Sequence, residues 1–267
     1  MRSQLSVLLL CASSLVSACL YKRDGEQAPW SYEGHNGPVL WHNLTPDNGL
    51  CGTGTNQSPI NIDSTITTVD GSSFNYPAEA DFILENNGHT VDCKPSEDED
   101  ATAFRSTLGG AEYQLLGFHF HAPSEHRVNG LGYPLEVHFV HKHVRTGDLG
   151  VFGIFFDIEA SEGDDFFHQM PFRQLQAKGD VMHAEDISLR TIMAHVRTSR
   201  VFNYSGSLTT PPCSEKVNWF VAEQPLLISV DQYDALKHAV GFNSRFTQGM
   251  PGEKNLLQQS EHCEETV

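Results

Sequence analysis

Three histidines have the spacing of a metal site. His119 and His121 lie in the segment FHFHAPSEH, and His138 lies in YPLEVHFVH. On a β-strand, residues i and i+2 point to the same face, so His119 and His121 present two imidazoles side by side. A turn through Gly130 and Gly132 allows the next strand to place His138 opposite them. Three neutral imidazoles can bind zinc and leave a fourth position for water, which is typical of a catalytic site.

The residues around His138 bear on this interpretation. Glu136 lies two residues before His138 and on the same strand face, where its carboxylate can accept the ligand's free N–H and fix its tautomer. His141 and His143 form a second pair with the same spacing, but their strand parity is opposite to that of His138. They cannot join His138 on one face without a bulge, so we interpret them as residues outside the metal site.

Short strands must position these histidines. Alternating or aromatic runs are separated by Gly, Pro, Asn and Asp turns, and this pattern predicts a mainly β fold. The predicted strands are Ser58–Ile62, Asp81–Leu84, Tyr113–His121, Leu135–Val144, Val151–Ile158 and Val217–Val221. Helical periodicity is clearest in 164–175 and 230–239. With 267 residues, the chain suits one large domain with a substantial core.

The N-terminal segment predicts export. A short basic start and an apolar run from Leu5 to Val16 are typical of a secretory signal peptide, which we place at residues 1–18. Lys22-Arg23 is a candidate propeptide cleavage site and suits a eukaryotic secretory route. The residues around Cys19 also fit a bacterial lipoprotein box, so lipid anchoring through Cys19 stands as the alternative to a secreted protein. No later segment is apolar enough to predict a membrane span.

Charge and cysteine content limit the partners and the compartment. A net charge of −17 repels nucleic acid and anionic membranes, so neither is an expected partner. Without a CxxC pattern, a cysteine-based zinc site is not expected. After export, spacing alone allows three disulfide connectivities among the remaining cysteines, which are Cys51, Cys93, Cys213 and Cys263. Of the glycosylation sequons at Asn43, Asn56 and Asn203, the first is the expected carrier, because the other two lie within dense motifs.

Together, these motifs resemble the α-class carbonic anhydrases of the secreted type. The segments that carry the resemblance are PWSYEGHNGP (29–38), NQSPINI (56–62), NNGHTV (86–91), FHFHAPSEH (118–126), LEVHFVH (135–141), VFGIFF (151–156), YSGSLTTPPCSE (204–215) and FNSR (242–245). The resemblance implies one domain over 24–250, built on a large, twisted, mostly antiparallel sheet with a few short peripheral helices, and a polar tail over 251–267. It also implies zinc at the base of a conical cleft; this family is itself the general example of a three-histidine catalytic zinc site.

The resemblance implies a reaction as well. The activity would be the zinc-dependent, reversible hydration of CO2 to bicarbonate and a proton, with side activity on activated esters and inhibition by sulfonamides and anions. Thr209 matches the gatekeeper threonine, whose hydroxyl would donate to the buried Glu125. Thr209 and Thr210 would both border the substrate. The residues that match the apolar wall of the CO2 pocket are Val140, Val151, Leu208, Val217 and Trp219.

The same resemblance supplies a proton path and a support for the ligands. His89 matches the shuttle histidine, which titrates in the useful pH range. Tyr32 and Asn87 match polar positions that order water between the zinc and the shuttle. Glu136 and Asn243 match residues that stand behind the metal ligands.

Two residues depart from the family's pattern. Gly117 stands where many relatives carry a glutamine that supports His119, so that support must come from elsewhere or the zinc affinity falls. Asp92 stands where many relatives carry a neutral polar residue near His89. A carboxylate there is expected to raise the pKa of His89 and to alter the pH profile of proton transfer.

The resemblance leaves the assembly open. Cys51 and Cys213 match the disulfide of extracellular relatives, which would tie the N-terminal segment to the loop after Thr209. Cys93 and Cys263 have no such match and could stay free, pair with each other or link two subunits, so a monomer and a homodimer are both open.

Two other functions compete with the enzyme. A silent binding module on the same fold would have lost metal ligands, and all three are present here. A different zinc hydrolase is the weaker alternative, because the HExxH motif is absent.

Overall fold

The computed structural model describes residues 30–160 and 163–260. The predicted signal peptide, the alternative lipid anchor at Cys19, the cleavage site after Arg23 and the partner of Cys263 therefore lie outside the described residues. Within the described ranges, no helix has the length and apolar character needed to cross a bilayer.

Strands dominate the part of the chain that the structure describes. In chain order they are β1 (Asn61–Ile62), β2 (Thr68–Val69), β3 (Ser73–Asn75), β4 (Glu79–Asn86), β5 (Val91–Pro95), β6 (Arg105–Leu108), β7 (Ala111–His121), β8 (Arg127–Val128), β9 (Leu135–His143), β10 (Leu149–Glu159), β11 (Val181–Ser188), β12 (Val201–Ser207), β13 (Glu215–Ala222) and β14 (Leu226–Ser229). The prediction of a mainly β fold is confirmed. The predicted strand at 58–62 is shorter, because Pro59 has no N–H to give to a ladder.

Twelve of these strands form one large sheet. Its main path runs β11-β4-β5-β7-β9-β10-β13-β12-β2, with β6 beside β7, β3 beside β6, and β14 beside β10. Most neighbouring strands are antiparallel, whereas β10 pairs in parallel with both β13 and β14. The short strands β1 and β8 make a separate parallel pair. The long strands β7, β9 and β10 lie side by side in the middle of this sheet, where a rigid site can be built.

Helices are short and peripheral. They are α1 (Trp41–Leu44), α2 (Leu50–Thr53), α3 (Asp165–His168), α4 (Arg190–Thr198), α5 (Val230–Val240) and α6 (Leu256–Ser260), with 3₁₀ turns at Gly34–Asn36, Pro46–Asn48, Ala101–Ala103 and Phe172–Gln174. The helix predicted at 230–239 is confirmed as α5, which begins with a capping box at Ser229. A single helix over 164–175 was wrong: Pro171 cannot continue the hydrogen bonding, so α3 ends and a 3₁₀ turn follows.

Two apolar layers lie on opposite faces of the central strands, because successive side chains along each strand point to alternate faces. In β9, Val137 and Phe139 belong to the larger core cluster, whereas Val140 belongs to a second cluster on the opposite face. In β7, Phe118 and Phe120 likewise face the larger core. His119, His121 and His138 therefore point to the face of the second cluster, as the period of two requires.

The described part of the predicted C-terminal tail, residues 251–260, contacts the rest of the fold. Residues 251–260 contain α6, and Asn255 Nδ2 donates to Gly54 O at 3.0 Å. This contact ties the predicted tail to α2, so the fold continues past residue 250. The physical reason is that a buried amide, not apolar periodicity, secures the segment.

Candidate metal centre

The three histidines come together on the face of the second cluster. His119 in β7 lies directly opposite His138 in β9. The ring centroids of His121 and His138 are 4.5 Å apart. The ring centroid of His119 lies 5.1 Å from that of His121 and 5.3 Å from that of His138. One ring nitrogen of each residue lies within 4.8 Å of the others. The strand period and the β7–β9 register together build a three-pronged donor set.

Hydrogen bonds orient two of the three rings. His121 Nδ1 donates to Asn243 O at 2.7 Å, and His138 Nε2 donates to Glu136 Oε1 at 2.8 Å. These bonds leave His121 Nε2 and His138 Nδ1 for the shared space. His121 Nε2 is buried and has no hydrogen-bond partner among the described residues. A buried, unpartnered nitrogen beside two other imidazoles is what a bound metal ion satisfies, so the residues present fit zinc.

The rings are also in the protonation state that a metal requires. Burial, the largest cause, lowers the pKa of His121 to about 4. Burial likewise lowers the pKa of His138, and it lowers the pKa of His119 well below its ordinary value. Neutral imidazoles at neutral pH can donate lone pairs without first losing a proton.

His119 differs from its two partners. Its ring makes no hydrogen bond to any described residue, and it is the most exposed of the three. Gly117 cannot supply one, and the structure explains why a glycine stands there. A Cβ atom at residue 117 would lie 2.5 Å from Cys93 O in the adjacent strand. The missing side chain is thus a consequence of the close approach of β5 to β7.

Glu136 accepts four hydrogen bonds behind the histidine cluster. Its Oε2 accepts from the backbone N–H groups of Glu125 and His126, both at 2.9 Å. Its Oε1 accepts from His138 Nε2 and from His126 Nδ1 at 2.7 Å. Burial alone would raise the pKa of Glu136, but His126, His138 and their hydrogen bonds hold that pKa well below its usual range. The carboxylate therefore remains ionised and fixes the His138 tautomer.

Sequence reasoning missed the network that lies beyond Glu136. His126 Nε2 accepts from the Tyr204 hydroxyl at 2.6 Å, and Ser58 Oγ lies 2.8 Å from the same hydroxyl. All three side chains are buried. Ser58, His126 and Tyr204 come from distant parts of the chain, and the only local signal was that each lies in a dense motif.

Replacing Glu136 with glutamine is expected to weaken zinc binding by about 10- to 100-fold. The amide keeps the shape but loses the charge, and its NH2 group faces imidazole donors instead of accepting from them. Competition with a chromophoric chelator measures the affinity. Glu112→Gln, at an exposed position of β7, is the matched control and should bind zinc as the wild type does. Equal affinities for both variants would contradict the role of Glu136.

Glu125 and Thr209 lie beside the histidines. Glu125 Oε1 accepts from Arg245 N at 2.9 Å, while its Oε2 lies 3.5 Å from His121 Nε2 and 4.0 Å from His138 Nδ1. Burial raises the pKa of Glu125 to about 7, against the opposing effects of His138, the Arg245 N–H and the Thr209 hydroxyl. Thr209 is only 4% exposed. A buried carboxylate that accepts a hydrogen bond from a neighbouring hydroxyl fixes the orientation of that hydroxyl, whose oxygen can then only accept from another donor.

An apolar wall borders the histidines on the same sheet face. Its members all belong to the second core cluster and are buried; they are Val140, Val151, Leu208, Val217 and Trp219. Val140, Val151 and Trp219 are cross-strand neighbours on β9, β10 and β13. The Trp219 indole donates to Ser207 O at 2.8 Å, so its ring has a fixed orientation. Such a wall can hold a small apolar molecule without hydrogen bonds.

His89 lies on the loop between β4 and β5, stacked on Trp30. The ring centroids are 3.8 Å apart and the planes differ by 9°. Burial, and then the charge of Lys178, lower the pKa of His89 to about 4. The expectation that Asp92 raises this pKa was wrong. Asp92 Oδ2 instead forms a salt bridge with Lys94 Nζ at 3.0 Å, and the lysine charge offsets that of the carboxylate.

The two residues expected along the proton path have different surroundings. Asn87 Oδ1 accepts from the backbone N–H groups of His89 and Thr90 at 2.9 and 3.0 Å, so it closes the turn that carries His89. Tyr32 packs edge-on against Trp30 and Trp41. Both residues therefore stand next to His89 or to the ring it stacks on.

We expect NMR titration of His89 to give a pKa of about 4. Because the pKa is depressed in the folded state, neutral His89 contributes stability that is complete above about pH 6.5 and is lost as the pH falls toward 4. As the pH falls from about 6.5 toward 4, the unfolding free energy of His89→Gln should therefore decrease less steeply than that of the wild type. His183→Gln, at an exposed position of β11, should keep the wild-type slope. A His89 pKa at or above 6.5 would contradict this prediction.

The structure contains the Cys51–Cys213 disulfide. Cys213 N donates to Thr210 O at 2.8 Å, so the bridge ends one turn away from Thr209 and Thr210. Cys93 is a free, fully buried cysteine of β5. Burial, the largest cause, raises the pKa of its thiol well above the ordinary value. A buried, protonated thiol is unsuited to linking two subunits.

The remaining polar residues singled out in the sequence lie away from the histidine cluster. His141 Nε2 contacts the Ser106 hydroxyl at 3.0 Å on the larger-core face. His143 Nδ1 accepts from backbone N–H groups of the following turn. Asn43 is exposed on α1, whereas Asn203 Nδ2 is bonded to Trp219 O at 2.8 Å. Of these two sequons, Asn43 is the more accessible.

Comparisons with known proteins agree with this geometry. The profile of the eukaryotic-type carbonic anhydrases matches residues 36–259. A carbonic anhydrase from Pectobacterium atrosepticum is 34% identical over 258 residues, which cover 94% of this chain and 98% of that protein. The structure of a fungal alpha carbonic anhydrase from Aspergillus oryzae superimposes with a TM-score of 0.79 at 32% identity, covering 88% of this chain and 99% of that one.

A second solved structure extends the comparison to an inhibitor complex. The alpha-carbonic anhydrase from Thermovibrio ammonificans, in complex with sulfanilamide, has a TM-score of 0.71 and 34% identity, and covers 86% of this chain and 99% of that one. The family match over residues 36–259 spans nearly the whole described fold, and that range contains the three histidines and Glu136. This chain therefore belongs to the family of eukaryotic-type, or alpha, carbonic anhydrases.

Proposed function

We propose that this chain catalyses the reversible hydration of CO2 to bicarbonate with a zinc ion held by His119, His121 and His138. The observation that carries the proposal is the convergence of three neutral imidazoles on one space, with His121 Nε2 buried and unpartnered. Zinc in a three-histidine site supplies a nucleophile at neutral pH by lowering the pKa of a bound water to about 7; carbonic anhydrase is the general example.

Glu125 and Thr209 orient the reacting group. Glu125 is held by the Arg245 N–H, and its second oxygen is free to accept from the Thr209 hydroxyl. A threonine that donates its own proton to a carboxylate can only accept at its oxygen. It therefore selects a ligand that carries a proton and aligns that ligand's lone pair toward the substrate.

The apolar wall and the adjoining threonine receive CO2. Val140, Val151 and Trp219 present a surface on which a small, weakly polar molecule loses few hydrogen bonds. Thr210 lies at the more exposed edge beside Thr209, where it borders departing bicarbonate. Sulfonamides and small anions are expected inhibitors, since they bring a negative group to the same place.

His89 carries the proton away. In the stacked position its low pKa favours release of a proton at neutral pH. An orientation toward the site, away from Trp30, would hydrate the ring and return its pKa toward 6.5, so the ring could accept there. Asn87 holds the turn and Tyr32 flanks the stack, which fits a path through ordered water. Activity of a His89→Ala variant that is independent of buffer concentration would contradict this role.

One set of measurements separates the enzyme from a silent binding module. Purified protein should contain one zinc per chain by atomic absorption and should hydrate CO2 in a stopped-flow indicator assay. Sulfanilamide should inhibit that activity and also any hydrolysis of activated esters. Metal-free protein without hydration activity would overturn the proposed function. Ester hydrolysis that sulfanilamide does not inhibit would assign the esterase activity to another site.

We also propose that the protein works outside the cytoplasm. The buried Cys51–Cys213 disulfide is typical of an oxidising compartment. Secretion with a glycan at Asn43 and lipid anchoring through Cys19 predict different masses. Intact mass spectrometry of the exported protein distinguishes them, and size-exclusion chromatography under oxidising conditions separates a monomer from a homodimer. Export with residues 1–18 still attached would contradict the signal peptide.

A further inference from the structure

One metal ligand is left without a support that the other two possess. His121 is held by Asn243 O and His138 by Glu136, each through the ring nitrogen that points away from the shared space. His119 has no such hydrogen bond within 30–160 and 163–260. An unheld ring loses zinc more easily, because its orientation must be fixed when the metal binds.

The sheet register places a carboxylate next to His119. Glu85, Asp92, His119 and His138 lie directly opposite one another on four successive strands, β4, β5, β7 and β9. Residues paired in this way point to the same face of the sheet, with Cβ atoms about 4.5–5.5 Å apart. Asp92 is therefore the immediate neighbour of His119 on the side opposite to His138.

Asp92 has an oxygen to offer. Its side chain is 14% exposed, and Oδ2 lies 3.0 Å from Lys94 Nζ. Oδ1 makes no hydrogen bond to the described part of the chain. Lys94 is itself 43% exposed, and its Cγ atom would lie 3.4 Å from a Cβ atom at residue 117, so it packs beside the carboxylate on the same face of the sheet. One oxygen is thus anchored by a cation while the other is available to a donor on the site face.

The other described neighbours of His119 on β7 and β9 do not take this role. The preceding residue on the same face is Gly117, where a Cβ atom would lie 2.5 Å from Cys93 O. Phe118 and Phe120 point into the larger core on the opposite face. His138, across the other edge of β7, is already bonded to Glu136. The close approach that excludes a side chain at residue 117 is also what brings Asp92 alongside His119.

We propose that Asp92 is the positioning residue of His119: in the zinc-bound protein its carboxylate accepts, directly or through one water, the ring N–H that faces away from the metal. This inference rests on the proposed zinc site and deepens it. A carboxylate acceptor fixes the tautomer and orientation of the imidazole and increases its basicity, as Glu136 does for His138. The departure at Gly117 is then compensated on the neighbouring strand.

The test is the rate at which zinc leaves the holoprotein. Wild type, Asp92→Ala, Asp92→Asn and Glu85→Gln are loaded with zinc and mixed with excess chelator, and zinc release is followed with an indicator. We expect Asp92→Ala to release zinc about 10-fold faster or more. Asp92→Asn keeps an acceptor oxygen and should fall between Asp92→Ala and the wild type. Glu85→Gln removes a charge from the same row, one strand further away, and should stay within about twofold of the wild type.

A second readout separates positioning from a general loss of structure. The ring N–H proton of His119, observed by NMR in the zinc-bound protein, should exchange with solvent faster in Asp92→Ala than in the wild type. The other two ligand N–H protons should keep their wild-type exchange rates, because Asn243 O and Glu136 still hold them.

The failures are distinguishable. Wild-type protein that binds no zinc would overturn the proposed function itself. Wild-type protein that binds zinc, together with an Asp92→Ala variant that releases it at the same rate, would overturn the positioning role alone. Equal acceleration in Asp92→Ala and Glu85→Gln would also overturn it, because the effect would then be one of overall charge. If the alanine variant does not fold, Asp92→Asn decides by the same comparison.

Discussion

His121→Ala is expected to abolish zinc binding at micromolar metal and to reduce CO2 hydration by about a thousand-fold or more. A catalytic zinc ion contributes several kcal/mol to the stabilisation of a transition state, and each 1.36 kcal/mol corresponds to a factor of ten in rate. His121 is the ligand of choice for this test, because its Nε2 is the buried nitrogen that has no other partner. Removing it leaves two imidazoles, which is fewer than a stable catalytic zinc site requires.

Metal content must be measured beside the rate. Zinc by atomic absorption and the shift of the melting temperature on adding zinc both report the ligand set without reference to activity. His183→Ala is the control, since it removes an exposed imidazole from the edge strand β11 and should leave both quantities unchanged. If His121→Ala retained one zinc per chain and the wild-type rate, the three-histidine site would be the wrong assignment.

Removal of the Cys51–Cys213 disulfide is expected to lower the free energy of unfolding by about 2–5 kcal/mol. The bridge joins residues separated by 162 positions, so it restricts a large part of the unfolded chain. Both cysteines are fully buried and pack against Trp41. Cys51 O also accepts from the Arg245 guanidinium at 3.1 Å, and Arg245 N holds Glu125. Removal of the disulfide is therefore also expected to affect the position of Glu125 beside the histidine cluster.

The measurement is urea unfolding of wild type and of a Cys51→Ala/Cys213→Ala variant, each with and without reductant. The double alanine variant avoids burying two hydroxyl groups. The midpoint of the wild type should fall in reductant, whereas that of the variant should not change. A difference in unfolding free energy below about 1 kcal/mol would show that the native contacts around Trp41 hold the segment without the bridge.

Features with a short sequence period could be predicted from the chain alone. His119 and His121 share a face because strands repeat every two residues, and Glu136 and His138 share one for the same reason. The alternation of Phe118 and Phe120 with the histidines likewise indicated which side faces the core. The helix at 230–239 was predictable because its capping box and periodicity are local. The helix over 164–175 failed because a single proline outweighs periodicity.

The register between neighbouring strands could not be predicted from the sequence. No local pattern states that Asp92 lies opposite His119, or that β5 approaches Gly117 so closely that a side chain is excluded. A one-residue slip of β5 would turn Asp92 to the other face. From the sequence, we expected Asp92 to interact with His89. In the structure, its salt-bridge partner is Lys94.

The sequence by itself determined the three histidines of the candidate metal centre, the carboxylate beside His138 and the mainly β fold, because each depends largely on spacing within one element. Only the tertiary structure decided the contacts between distant segments. The stack of His89 on Trp30 and the contacts of His126 with Glu136 and Tyr204 are of this kind. They arise from the packing of elements whose mutual positions the whole fold sets, and that packing determines how each ring titrates and which hydrogen bonds hold it.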